Sequence, residues 1–252
     1  MTRPLAVVDA ASPTGHARQA VLVVGIYLID KENSAARVTA ELGRSREWAV
    51  TQAWVGLGRG PIPDELAGVT ASTAEAFVPK FVLLNDILSR TRLDQYAFIV
   101  VCDDDIEIPS GFLDRYLERV VRHDLALAQP ARTHASYIDH AFVEQLEGLG
   151  ARWTRFVEIG PLFSVRRDAV PLLLPFDEAS PMGWGYDLAW PCVMERAGLK
   201  MGIVDATPVD HSLRKPVAYY EHQTAVTTME RFLAGRPHLS TGDAWFIIES
   251  YV

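Results

Sequence analysis

Three consecutive aspartates, Asp103, Asp104 and Asp105, close an apolar, β-favouring run in the stretch YAFIVVCDDDIEI. Each carboxylate disfavours ionisation of the next unless a cation or solvent offsets the repulsion. Carboxylates at the end of a buried strand suit a hard divalent cation. Mg2+ and Mn2+ take oxygen ligands and share them between one or two carboxylates, waters and substrate phosphates. The plainer reading is an acidic turn facing water. Two further groupings favour the metal. In VDATPVDHSLRKP, His211 follows a strand-like run and precedes Arg214 and Lys215. A histidine can complete a metal site begun by carboxylates, and the two cations can neutralise a diphosphate. In SPMGWGYDLAWP, Gly183 and Gly185 flank Trp184, a loop able to bring backbone and indole close to a ligand. Asp187 follows. It is either a helix N-cap with Trp184 in the core, or a general base that takes the proton of an acceptor hydroxyl.

These groups need a frame to hold them. The continuous apolar run 21–29 has strand length and the character of a strand covered on both faces. A polar turn and a helical pattern from about Ser34 follow, then a second strand over 48–58 and a Pro/Gly-rich loop. Helical spacing over 74–90, with Pro79 at its start or at a kink, leads to the strand that ends in the aspartates. Ser110 is the expected N-cap of the next helix. This alternation predicts an α/β fold with a Rossmann-like, mostly parallel central sheet and flanking helices. In such sheets ligands bind beyond the carboxyl ends of the strands, where the aspartates fall. The second half is less regular. It holds a short strand at 125–130, two strand-like runs around Gly160-Pro161, a short helix, and a helix from about Asp187. A strand at 200–206, a helix over 218–235 and an apolar tail complete it.

In this order the pieces resemble a glycosyltransferase of the GT-A fold, over roughly residues 21–216. The resemblance implies a single domain over 20–252. About 20–129 would form the nucleotide-sugar half and about 130–216 the acceptor and catalytic half, with a C-terminal helix and tail over 217–252. Asp103-Asp104-Asp105 matches the Asp-X-Asp motif, which in that superfamily binds Mn2+ or Mg2+ on the donor diphosphate. It implies metal ligands at Asp103, Asp105 and His211, with Asp104, Arg214 and Lys215 also on the donor. KFVLLND, with Lys80 and Asn85, resembles the helix near the nucleotide in metal-dependent galactosyltransferases. Gly183-Trp184-Gly185 resembles their acceptor loop, and Asp187 takes the place of the base, although Tyr186 stands where an extra acidic residue is usual. VEIGPLFSVRRDAV resembles the segment ahead of that loop, where Glu158 or Gly160 lines the site. The first strand ends IYLIDKEN rather than in the usual Pro-Thr/Ser-Tyr-Asn, leaving Asp30 as the candidate for base recognition. The implied activity is transfer of a sugar from a nucleotide-sugar donor to a hydroxyl, with inversion if Asp187 is the base.

Composition narrows the partners. The 252 residues carry 24 basic and 32 acidic side chains, a net charge of −8, which argues against generic affinity for nucleic acid or anionic membrane. Two cysteines, Cys102 and Cys192, make no disulfide framework and fit a reducing cytoplasm. Cys102 reads as a small core residue. The first apolar run is about half of what a membrane-spanning helix needs, and residues 1–19 read as a loose leader rather than a signal peptide. The expected acceptor is therefore soluble, a small molecule or saccharide, and oligomeric state is left open. A sugar-phosphate nucleotidyltransferase ranks second, since its glycine-rich, basic loop after the first strand is missing. An aspartyl phosphatase would place its Asp-X-Asp after the first strand. A non-catalytic nucleotide-sugar-binding module stands as the third class, because fold alone does not establish activity.

Overall fold

A computed structural model describes residues 18–214 and 222–252. The first half runs β1 (Ala20–Leu28), α1 (Ala35–Leu42), β2 (Ala49–Leu57), β3 (Thr70–Ala74), α2 (Lys80–Ser89), β4 (Tyr96–Cys102) and α3 (Phe112–Arg122). The second runs β5 (Leu125–Arg132), β6 (Ala151–Thr154), β7 (Leu162–Arg166), α4 (Val170–Leu173), α5 (Tyr186–Ala197), β8 (Lys200–Val209), α6 (His222–Ala234), α7 (Thr241–Ala244) and β9 (Ile247–Tyr251). Among the described residues, nine strands form one sheet in the order β3-β2-β1-β4-β7-β5-β8-β6-β9.

The apolar runs become strands because both sheet faces are covered. Along β1 and β4, Leu22, Val24, Ile99 and Val101 enter the core under α2 and α5, while Val21, Val23, Phe98 and Val100 enter the core under α1 and α3. Alternate residues on a strand face opposite ways, so continuous apolar sequence is what a doubly covered strand requires. Cys102 is fully buried in the second of these cores, as its sequence setting suggests.

The expected mostly parallel sheet is corrected to a mixed one. Strands β3, β2, β1 and β4 are mutually parallel, and β5 is parallel to β8. However, β7 lies antiparallel between β4 and β5, and β6 is antiparallel to both β8 and β9. The consequence is functional. Leu162, the first residue of β7, pairs with Cys102, the last of β4. The antiparallel strand therefore begins where the parallel strands finish, and the segment before it joins the same sheet edge.

Smaller corrections concern boundaries. Residues 70–73, read as loop, and Ala74, read as the first residue of a helix, form the edge strand β3, whose half-exposed TASTA carries no apolar signal. Helix α2 starts at Lys80 rather than Ala74, with Pro79 at its N-cap. Gly111 in the left-handed region, not Ser110, caps α3. The apolar tail supplies β9, which pairs with β6 at the sheet edge. Of the expected leader, residues 1–17 lie outside the described residues, as does 218–221 of the expected helix over 218–235.

Candidate active site

At the end of β4 the chain leaves the sheet, and the three aspartates acquire three different sets of partners. Asp103 lies beside Lys80 of α2, with Nζ 2.5 Å from Oδ1, and its backbone N–H donates to the Pro161 carbonyl at 2.7 Å. Asp104 is only 3% exposed. Its carboxylate accepts the Leu28 N–H at 2.7 Å and the Arg214 guanidinium at 2.5 and 3.3 Å. Burial lifts its pKa to about 6 against the pull of Arg214 and the Leu28 N–H. Ser34, ahead of α1, donates its hydroxyl to the Asp104 and Ile106 carbonyls. Asp104 thus ties β1, β4 and the loop after β8 together. Asp105 lies between His211 Nε2 at 3.1 Å and Arg214 Nη2 at 3.0 Å. Its burial favours the neutral form, but those two partners outweigh it and hold the carboxyl below the ordinary range. The like charges of the triplet are therefore met by Lys80, Arg214 and His211.

Arg214, expected on the donor diphosphate, engages Asp104, Asp105 and the Glu32 carbonyl. Lys215 lies outside the described residues. Asn85 was expected near the nucleotide. Its amide exchanges two 2.8 Å hydrogen bonds with the backbone of Phe176, one donated and one accepted, so it pins the chain before the glycine loop to α2.

Two cavities open on this edge. The first, about 450 Å3, is bordered by Asp30, Gly58, Phe77, Val78 and the aspartate triplet. Asp30 closely flanks Gly58, whose φ of +113° and 2.7 Å approach of a hypothetical Cβ to Asp30 Oδ1 make glycine the fitting residue there. The second, about 700 Å3, is walled by Phe81, Phe156, Trp184 and Met229, with Glu158 and Asp187 on its surface. Lys80, Asp103, Met182 and His211 border both, so the cavities meet beside Asp103, the first residue of the triplet.

The second cavity is built from the loop before β7, the end of β5 and the start of α5. Gly183 has φ +83°, and a Cβ there would lie 2.2 Å from the Phe81 ring and 2.5 Å from Ile159. Only glycine allows the loop to settle against α2 while Trp184 reaches the cavity wall. Gly185, φ +92°, is the N-cap of α5 and places Asp187 in the first helical turn. Burial raises the Asp187 pKa to about 6, partly countered by His140, whose Nε2 lies 4.0 Å from Oδ2. A carboxylate with that value is ionised at neutral pH and is a stronger base than an ordinary one. Glu158, 6% exposed, is pushed by burial to about 7 despite its partner Arg132. A Cβ on Gly160 would stand 3.3 Å from Asp103 Oδ2, so that glycine leaves room beside the carboxylate.

Arg132 and His140 were not singled out from the sequence. Arg132, the last residue of β5, is 2% exposed and reaches Glu158, Gly160 and His211. Its signal was available, since it closes an apolar strand just as the aspartates do. His140 sits in an irregular segment whose pattern says nothing of where it folds.

Among the described residues, no group of three or more His, Cys, Asp or Glu is arranged to hold a metal ion. The donor chemistry still fits a cation that completes its shell elsewhere. Asp105 Oδ1 and His211 Nε2 lie 3.1 Å apart, a separation that two ligands of one ion can share, and Mg2+ or Mn2+ draws its remaining ligands from water and phosphate. Also among the described residues, no helix is long and apolar enough to cross a membrane.

No family model matches the sequence, and no curated protein does. The fold, in contrast, has solved counterparts. The chain is similar to the crystal structure of GalNAc-T7 with UDP, GalNAc and Mn2+, with a TM-score of 0.55 at 10% identity. The match covers 85% of this chain and 47% of that one, so this chain spans about half of its counterpart. At that identity the likeness is one of fold, and it supports the GT-A-like architecture.

Proposed function

We propose that the protein is a glycosyltransferase that moves a sugar from a nucleoside-diphosphate donor to an acceptor hydroxyl. The observation that carries this reading is the meeting of two cavities at Lys80, Asp103 and His211, with Asp187 on the wall of the second. A two-substrate displacement needs that layout, with one chamber for each substrate and the reacting bond at their junction. The solved counterpart, a GalNAc-T7 structure containing UDP, GalNAc and Mn2+, supports it from the side of the fold.

In this reading the nucleoside occupies the first cavity near Asp30, and the acceptor stacks on Trp184 in the second. Asp105 and His211 would hold Mn2+ or Mg2+, with Asp103 beside the donor or a bound water. The ion, when bound, supplies positive charge to the leaving diphosphate. Lys80 adds to that charge from α2. Asp187 takes the proton of the acceptor hydroxyl as its oxygen forms the new bond to the anomeric carbon. The bond from that carbon to the diphosphate oxygen breaks, and the electron pair leaves with the diphosphate. One displacement of this kind inverts the anomeric configuration. The ion contacts of Lys80 with Asp103 and of Arg214 with Asp104 and Asp105 favour a second reading, in which these fixed cations carry the diphosphate unaided.

A panel of nucleotide sugars, assayed for nucleoside diphosphate release with acceptor mixtures in Mn2+ or EDTA, tests both. Release that requires Mn2+ supports the first reading, and release undiminished by EDTA supports the second. No release with any donor contradicts a transferase.

A further inference from the structure

We infer that Arg132 is the positioning residue for His211, fixing which imidazole nitrogen carries the proton and turning Nε2 toward Asp105. Its relevance to a cation rests on the function proposed above, but the hydrogen-bond logic does not. Arg132 Nη1 lies 2.7 Å from His211 Nδ1. A guanidinium has only N–H donors and stays protonated in proteins, so it must donate here. Nδ1 is therefore the accepting nitrogen. In the neutral ring the proton then resides on Nε2, which donates to Asp105 Oδ1 at 3.1 Å.

The geometry leaves Arg132 little freedom to do otherwise. Its Nη2 donates to Glu158 Oε2 at 2.5 Å and to the Gly160 carbonyl at 2.8 Å, while Nη1 also approaches the Tyr137 carbonyl at 3.4 Å. The histidine is held from its backbone as well. Its N–H donates to Ser136 Oγ at 2.9 Å, and its carbonyl accepts the Tyr137 N–H at 3.0 Å. Both ends of the Arg132–His211 contact are thus anchored independently. The ring is presented to Asp105 through Nε2 alone, the nitrogen that would exchange its proton for a cation. Partners of this outer kind orient a ligand, and losing one typically lowers metal affinity by about 10–100-fold.

The test uses the full chain with 15N-labelled histidine, read by long-range 1H–15N correlation, with His211→Asn to assign the signal among the seven histidines. The metal-free wild type should show His211 protonated at Nε2 and bare at Nδ1. Arg132→Met leaves Glu158 buried without its cation, so the companion is Arg132→Met/Glu158→Gln, which removes both charges and keeps the fold testable by near-UV circular dichroism. In the folded double variant Asp105 still accepts from Nε2, so the Nε2 preference should weaken, with a measurable fraction protonated at Nδ1. Mn2+ affinity, followed by electron paramagnetic resonance with a panel of nucleoside diphosphates, should fall by about 10–100-fold. Arg132→Lys, which retains the charge without the fork, should restore part of both. A wild-type His211 protonated at Nδ1 overturns the inference. So does a folded double variant with wild-type tautomer and an affinity within about twofold. A wild type that takes up no Mn2+ with any nucleotide contradicts the proposed function instead, and the tautomer measurement still decides the role of Arg132.

Discussion

Asp187 shows how one residue can serve chemistry at a cost to the fold. Its carboxyl titrates near pH 6 in the folded chain because burial disfavours the charge, against about 3.9 in an unfolded one. Transfer that depends on the ionised form should therefore rise with pH through about 6, which kcat/KM measured from pH 4.5 to 8 would show. Asp187→Asn should lower kcat by about 100-fold or more and abolish that limb. The stability effect has the opposite sense. A carboxyl whose folded pKa is raised contributes stability that is complete below the unfolded value and lost as pH climbs through the folded one. At pH 7–8, Asp187→Asn should thus match or exceed the wild type, by up to about 3 kcal/mol in urea unfolding. If the variant retained full turnover, Asp187 would be a helix-start residue and nothing more. The neighbouring glycine has the reverse character. Gly183→Ala meets both a positive φ and the Phe81 ring at 2.2 Å, and should destabilise the chain by about 2 kcal/mol or more, seen as a lower Tm.

At the scale of elements, two connections decide whether the second cavity keeps its shape. Asn85 on α2 brackets the backbone of Phe176, and Asn85→Ala removes both hydrogen bonds. The expected loss is about 1–3 kcal/mol with donor affinity unchanged, which thermal unfolding and nucleotide titration together would establish. A tenfold loss of nucleotide affinity would return Asn85 to the donor site. The second connection is the buried pair Arg152 on β6 and Asp205 on β8, joined by two 2.9 Å hydrogen bonds. Arg152 also donates to the carbonyls of Phe142 and Glu144, holding the segment that follows His140. Arg152→Met strands a buried carboxylate and should cost about 3–5 kcal/mol in denaturant unfolding, whereas Arg152→Met/Asp205→Asn should recover much of it.

These elements also show what a sequence can express. The strand carrying the aspartates was legible because a doubly buried strand has no polar alternation, so its first polar residue marks the edge. The glycine loop was legible because Gly183 and Gly185 occupy backbone conformations that other residues rarely adopt. Strand direction was not legible. The apolar pattern of β7 is the same read either way, and its antiparallel insertion beside β4 depends on tertiary pairing. The partners of Arg214 were not legible for a related reason: a cation beside an acidic site suits a phosphate and a neighbouring aspartate equally, and only the folded chain shows its pairing with Asp104 and Asp105.

At the scale of the whole molecule, the described residues build a nine-stranded mixed sheet whose parallel ends and antiparallel beginnings converge on one edge. That convergence places the Asp103–Asp105 triplet from β4, Arg132 from β5, Glu158 ahead of β7 and His211 after β8 around a common junction. The net charge of −8 gives no general attraction for a diphosphate, so its capture depends on the local cations and on any ion at Asp105 and His211. The most direct measurement is calorimetric titration of the wild type and Asp105→Asn with a panel of nucleoside diphosphates, in Mn2+ and in EDTA. The account predicts that one nucleotide binds the wild type in Mn2+, and that chelation or the substitution weakens binding by about tenfold or more. Failure of every nucleotide to bind, or binding indifferent to both Mn2+ and Asp105, would contradict it.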